Sequence, residues 1–415
     1  MVFCGISRAL NRFKMVLVTA FLMTIFSSFA QANLSCSALL LVKQQPSFFV
    51  RSPGKLNSVI EKVSTAKEAE LFVEQLHQSL LRGRLKLKFS HIRIFKRGIR
   101  KWLSQISADH LMKVFIIIRE GGLYHLEYEF LKSFEEAIGL KLDEFSGGQL
   151  ATIVNLFGKV KTQPTESFLK RLEDALLEKT IELDVKNLVE ILSGYAHLGV
   201  KPSRVSFRVW FEKLKNEIEG MGPRHLSELL YSLNLMKEFE SLKGFLRVVP
   251  EATWAEFRAP SHIRILSLIE QYSRVVLRVN LLELAPFKGA FKELVKSPSQ
   301  ESQLERDAAF IFDAEGVVYL REFQTTPGFY VDFYIPAKNR VVQVDGPHHY
   351  IISYEKDLLR KLRPQDILID EVLKSHGYEV ERLSDFDIQK RKDELESQEN
   401  QEGFIGLFGG FKPNN

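Results

Sequence analysis

A chain of 415 residues, 45% apolar and 26% charged, is long enough to bury a sizeable core and to divide into two or three domains. A net charge of +5 does not by itself point to nucleic acid, so where the charge sits matters more than its sum. Two cysteines, Cys4 and Cys36, exclude a disulfide framework and a cysteine-based zinc site, and the scattered histidines form no HExxH pair.

The chain opens like a secretory leader. Arg8, Arg12 and Lys14 precede an apolar stretch over residues 15–26, and Ala30-Gln31-Ala32 has the small-x-small form of a cleavage site. The stretch is shorter than the roughly 20 apolar residues that a membrane span needs. Residues 1–32 are therefore expected to be a signal peptide. They imply an exported protein, periplasmic or extracellular or delivered to another cell, with no stable membrane insertion after cleavage. The first acidic residue is Glu61, which also suits an organellar transit peptide, so an organelle remains the alternative. Residues 33–65, weakly patterned and containing Ser, Pro and Lys, read as a linker.

From residue 66 to 297 apolar residues recur at three and four, and the breaks carry Gly or Pro, which predicts helices throughout. Within this stretch the sequence repeats itself. Leu150, Leu188 and Leu226 stand 38 residues apart, as do Phe134, Leu172 and Trp210, and Ile138, Leu176 and Leu214. Pro164 and Pro202 share the step. Leu111 begins a similar unit, and a degraded one follows around Ile263. A single hairpin of this length cannot bury its apolar face, so the units are expected to stack as an α-solenoid of helix–turn–helix repeats. An irregular helical bundle is the plainer alternative.

Ahead of the repeats lies a run without acidic interruption: Arg82, Arg84, Lys86, Lys88, Arg93, Lys96, Arg97, Arg100 and Lys101, with Phe89 and Phe95 among them. Clustered cations are the footprint of phosphate contact, and aromatics could stack on unpaired bases. A solvated helix face with its aromatics turned inward, or an anionic membrane surface, would give the same pattern.

From Ser302 the period changes. A helix, three short β-branched or aromatic runs ending in Arg340-Val341-Val342-Gln343-Val344-Asp345, a helix opened by Pro364 and closed by Gly377, and a last run over residues 378–384 give the order αβββαβ. The tail over residues 389–415 has mixed charge and ends in a Phe/Gly segment, and is expected to be disordered.

Two resemblances follow. The 38-residue period resembles the octotricopeptide repeats and the helical region of the Fas-activated serine/threonine kinase-like RNA-binding proteins, over about residues 90–240. Residues 302–388 resemble a RAP domain: Asp332-Phe333, then Val344-Asp345-Gly346-Pro347-His348-His349, then Leu373, Gly377 and Tyr378 follow its pattern. The resemblance implies a restriction-endonuclease-like fold and RNA as partner, single-stranded above all.

Nucleases of that fold hold a divalent cation on two carboxylates with a nearby lysine. Here Asp332 fits the first position, but Gln343 stands at the acidic one and Asp345 where lysine would be. Asp332, Asp345, His349 and Gln343 are the catalytic candidates, and Asp332 and Asp345 the metal candidates. Mg²⁺ is the cofactor only if the domain cuts; otherwise none is expected. The leading expectation is a non-catalytic RNA binder. In it, His348, His349, Arg360, Lys361 and Arg363 add to the basic run as RNA contacts. A Mg-dependent nuclease and an exported protein-interaction scaffold or effector are the alternatives.

Overall fold

The computed structural model describes residues 57, 60, 61, 63–82, 87, 89–120, 126–290, 301–355 and 359–408, with side chains inside elements left undescribed at 89, 359, 396 and 398–408. The expected leader and nearly all of the expected linker lie outside these residues. The described chain is mainly helical, with a small sheet region towards its C-terminal end. It divides into two compact units, Met1–Gly121 and Gly122–Asn415.

The first unit contains α1 (Ala66–Leu81), α2 (Phe89–Ile99, continued by the 3-10 turn Arg100–Trp102) and α3 (Ala108–Glu120). Thr65 caps α1 by accepting from the Glu68 N–H, satisfying one of the free donors of the first turn. Phe72, Val73 and Leu76 of α1, Ile92, Phe95 and Ile99 of α2, and Leu111, Val114, Phe115 and Ile118 of α3 are buried. The polar edge is tied by Glu70, which accepts from Ser107 N at 2.7 Å, and by Glu74, 2.6 Å from Lys113 Nζ.

The second unit begins with helices in hairpin order: α4 (Tyr128–Gly139), α5 (Gly147–Val160), α6 (Glu166–Glu178), α7 (Val185–Leu198), α8 (Arg204–Asn216), α9 (Pro223–Leu235), α10 (Phe239–Leu246) and α11 (Pro260–Val275). The residues that recur every 38 positions are core residues. Leu150, Leu188 and Leu226 are buried, as are Phe134, Leu172, Trp210, Ile138, Leu176 and Leu214. The helices α5, α7, α9 and α11 pack in sequence, each on the next.

Between α5 and α7 the backbones themselves meet. A Cβ on Gly194 would lie 2.6 Å from the carbonyl oxygen of Val154, and one on Gly158 would lie 2.9 Å from that of Gly194. Helix starts are fixed by matching devices. Ser146 with Gln149 and Asp184 with Asn187 form capping boxes on α5 and α7. Glu135 accepts from the N–H and hydroxyl of Thr165 at the start of α6, and Glu173 accepts from Ser203 N and the Ser206 hydroxyl at the start of α8.

After α12 (Gln303–Ala314) come β2 (Leu320–Gln324), β3 (Tyr330–Ile335) and β4 (Arg340–Asp345), then the hairpin β5 (Tyr350–Ser353) and β6 (Leu359–Leu362), α13 (Pro364–Ser375), β7 (Glu379–Ser384) and α14 (Asp385–Phe408). The main sheet has the order β2-β3-β4-β7, antiparallel except for the parallel β4–β7 pair. The expected αβββαβ order is present, with a hairpin inserted ahead of α13. One sheet face carries Phe333, Ile335, Val342, Val344 and Leu383 onto Ala308, Ala309, Ile311 and Phe312 of α12 and Ile388 of α14. Residues from Gln389 to Phe408, expected to be disordered, continue α14. A second sheet joins the hairpin to the helices: β1 (Thr162–Gln163), directly after α5, pairs in parallel with β5.

Candidate functional site

The basic run divides by burial. Arg84, Lys86 and Lys88 lie outside the described residues, and Arg82 follows α1, exposed. On α2 the apolar stripe Ile92, Phe95, Ile99 turns inward, and Phe95 meets Phe72 at 6.1 Å between ring centroids. Phe95 is thus a core residue and unavailable to bases. Lys96 is buried with it. Arg93, Arg97, Arg100 and Lys101 are exposed, and their spacing of four, three and one keeps them on one side of the helix and its 3-10 extension. Lys101 Nζ stands 5.0 Å from the centre of the Trp102 ring, a cation–π contact.

The nuclease-like positions share a sheet face. Alternation along the strands puts Asp332, Gln343, Asp345 and Arg382 opposite the core face just described. Asp332 Oδ2 accepts from Val344 N at 2.6 Å, beyond the last paired residues Phe333 and Val342. Burial pushes its carboxyl up to about 6, against that hydrogen bond.

Asp345 is fully buried and held in place. Arg382 Nη1 donates to its Oδ1 at 2.7 Å, and the Tyr350 hydroxyl is 3.3 Å from its Oδ2. Burial raises the Asp345 pKa and Arg382 works against it. The same guanidinium grips both oxygens of Asp370 at 2.8 Å each. His349 Nδ1 lies between two carboxylates, 3.4 Å from Asp345 and 3.5 Å from Asp366. Arg363 holds Asp366 through both of its oxygens, at 2.6 and 3.0 Å, and its Nη2 is 3.1 Å from His349 Nδ1. Burial would raise Asp366, but hydrogen bonds from His349 and Arg363 outweigh it and leave its pKa lowered.

Asp345, Asp366 and Asp370 are therefore charge-compensated by Arg382 and Arg363, whereas Asp332 is held by a backbone N–H. Among the described residues no group of three or more His, Cys, Asp or Glu side chains is placed to hold a metal ion.

The remaining candidates gather at the seam between this α/β domain and the helices before it. Lys361 Nζ donates to the carbonyl of Gly199 at 2.6 Å, and Lys161 Nζ to the carbonyl of His348 at 2.7 Å. Burial, then the charge of Arg363, brings the Lys161 ammonium down to about 8. Burial, then the neighbouring His349, Lys161 and Arg363, lowers His348 to about 4. Arg360 is exposed and paired with Asp385 at 2.6 Å. Helix α13 packs on α7, α9 and α11. Glu371 of α13 accepts from Lys237 Nζ at 2.8 Å and from the Tyr272 hydroxyl at 2.6 Å.

The sequence reading missed Lys161, Lys237, Tyr272 and Glu371. A signal existed for the first two: Lys161, Gly199 and Lys237 stand 38 apart and all adopt left-handed backbone, with φ of 53°, 62° and 56°. Nothing in the sequence marks Glu371 as their counterpart. In comparison with known proteins, the chain matches no family model and no curated protein.

Proposed function

We propose that this chain is a non-catalytic RNA-binding protein. Its helices α4–α11 act as a short α-solenoid of 38-residue units, and its C-terminal α/β domain, RAP-like in sequence, is a binding rather than a cutting module. The observation that carries this reading is the exposed cationic row Arg93, Arg97, Arg100 and Lys101 beside Trp102, because guanidinium and ammonium groups in line on one helix are suited to successive phosphates. The recurrence of core leucines every 38 residues and the serial packing of α5, α7, α9 and α11 support the solenoid reading. The pairing of Asp345 with Arg382 favours binding over metal-dependent cleavage.

The test is fluorescence anisotropy of residues 33–415 with a labelled single-stranded RNA at several salt concentrations. The wild type is expected to bind below micromolar at low salt. Arg97→Glu with Lys101→Glu is expected to weaken binding at least about tenfold and to flatten the log–log salt slope by about 1.4, two phosphates at roughly 0.7 each. Affinity no better than micromolar, with no salt slope, would overturn the proposal. Cleavage of the RNA on adding Mg²⁺, abolished by Asp332→Ala, would replace it with the nuclease reading.

A further inference from the structure

We infer that α13 covers a track for a single-stranded polyanion on the α5–α7–α9–α11 layer, so that the chain's own C-terminal domain competes with RNA for that track. The inference rests on the RNA reading above and names the surface and its regulation.

Along the seam with α13 lie Lys161 after α5, Lys237 after α9 and Tyr272 in the last turn of α11, its ring stacked on Phe239; His197 near the end of α7 and Tyr231 in the middle of α9 are close enough to feel the charge of Arg363 at the start of α13. Cations and phenol rings contributed one helix at a time form the combination that a single strand exploits, with phosphates on the ammonium groups and bases on the rings. What covers them is oxygen. The His348 carbonyl takes the Lys161 ammonium, and the two Glu371 oxygens take Lys237 and the Tyr272 hydroxyl. The Asp366 carboxylate lies near enough to act on Tyr231, while at Lys161 the charge of Arg363 outweighs it. The domain thus presents to these groups the partners that a phosphodiester backbone would offer.

Carboxylates also stand on the layer: Glu190 accepts from the Thr152 hydroxyl at 3.2 Å, and Glu228 accepts from Ser193 at 3.0 Å, one turn before His197, so the cationic part of the track is Lys161 and Lys237. The contacts at the edge of α13 are exchangeable, because Lys237 and Glu371 are 53% and 30% exposed and ion pairs of that kind are weak.

The experiment uses the full chain and a fluorescein-labelled oligouridine of about 20 nucleotides, long enough to cross several helices at single-strand spacing. Glu371→Lys places a like charge against Lys237 and leaves the array untouched. It is expected to tighten binding about tenfold, since a covered site binds in proportion to its open fraction, and to speed proteolysis of the C-terminal α/β domain. Glu394→Lys, the same charge change at an exposed position of α14, controls for charge alone and is expected to shift affinity less than about twofold. Adding Lys161→Gln and Lys237→Gln to Glu371→Lys is expected to remove the gain. Should Glu371→Lys fail to fold, Glu371→Gln supplies a smaller gain of the same sign.

An equal gain from Glu394→Lys, no faster proteolysis, or wild-type affinity unchanged in the Glu371 variants would overturn the inference while leaving RNA binding intact. Absence of binding by the wild type and by the opened variant alike would overturn the RNA reading and this inference with it.

Discussion

Arg382 sets what the α/β sheet face can do. It bridges Asp345 and Asp370, both largely removed from water, and a buried carboxylate that loses its only guanidinium is left with an uncompensated desolvation cost. Arg382→Met is expected to destabilise the protein by about 3–5 kcal/mol, read from the urea midpoint; a loss below about 1 kcal/mol would show the network to be dispensable. Asp332 works in the opposite sense. Its folded pKa, about 6, stands above its ordinary value of 3.8, so its contribution to stability is fully present below pH 3.8 and is lost as pH rises through about 6. Asp332→Asn keeps an acceptor for Val344 N without a charge to desolvate, and is expected to stabilise the protein at pH 8 by up to about 3 kcal/mol and to flatten the pH dependence between 4 and 7. Asp332, Gln343 and Asp345, adjacent in the sequence pattern, share one face because strand alternation fixes it. The sequence did not reveal that Asp345 is neutralised: the partner lies 37 residues later on β7, and only the parallel β4–β7 register aligns them.

At the level of elements, the contact between α5 and α7 depends on the absence of a side chain. Gly194→Ala would push a methyl group into the backbone carbonyl of Val154, and since backbone cannot rotate away, the helices must separate. A loss of about 1–3 kcal/mol is expected, visible as a fall in Tm. Glu173→Ala removes the acceptor for Ser203 N and the Ser206 hydroxyl and is expected to cost about 1–2 kcal/mol, with amide exchange rising first at the start of α8. The helices were legible because Leu150, Leu188 and Leu226 carry both the period and the burial. The β5–β6 hairpin was not, since four residues per strand give too little alternation to read, and its partner β1 is only two residues long. Helix α14 escaped because its mixed charges leave no sustained apolar stripe, although Ile388 and Leu395 reach the core.

For the second unit as a whole, the α/β domain folds back on the helices that precede it, through the β1–β5 pairing, the packing of α13 and the polar contacts of Lys161, Lys237 and Lys361. Lys361 and Arg363, read from sequence as RNA contacts, are engaged at this seam or within the domain, whereas Arg93, Arg97, Arg100 and Lys101 are exposed. Long-range docking of this kind is invisible to local pattern, since the three lysines and their partners are separated by more than 130 residues. The left-handed corners show how the conflict is settled. At Gly199 the conformation is sterically free, but Lys161 and Lys237 hold it with side chains that disfavour it by roughly 1–2 kcal/mol each. Replacing both lysines with glycine should slow amide exchange at the ends of α5 and α9 and, in the same molecule, hasten proteolysis of the domain that they hold. The corners are locally frustrated: backbone ease at two helix ends is sacrificed for cohesion between two parts of the chain, and one substitution moves the two properties in opposite directions.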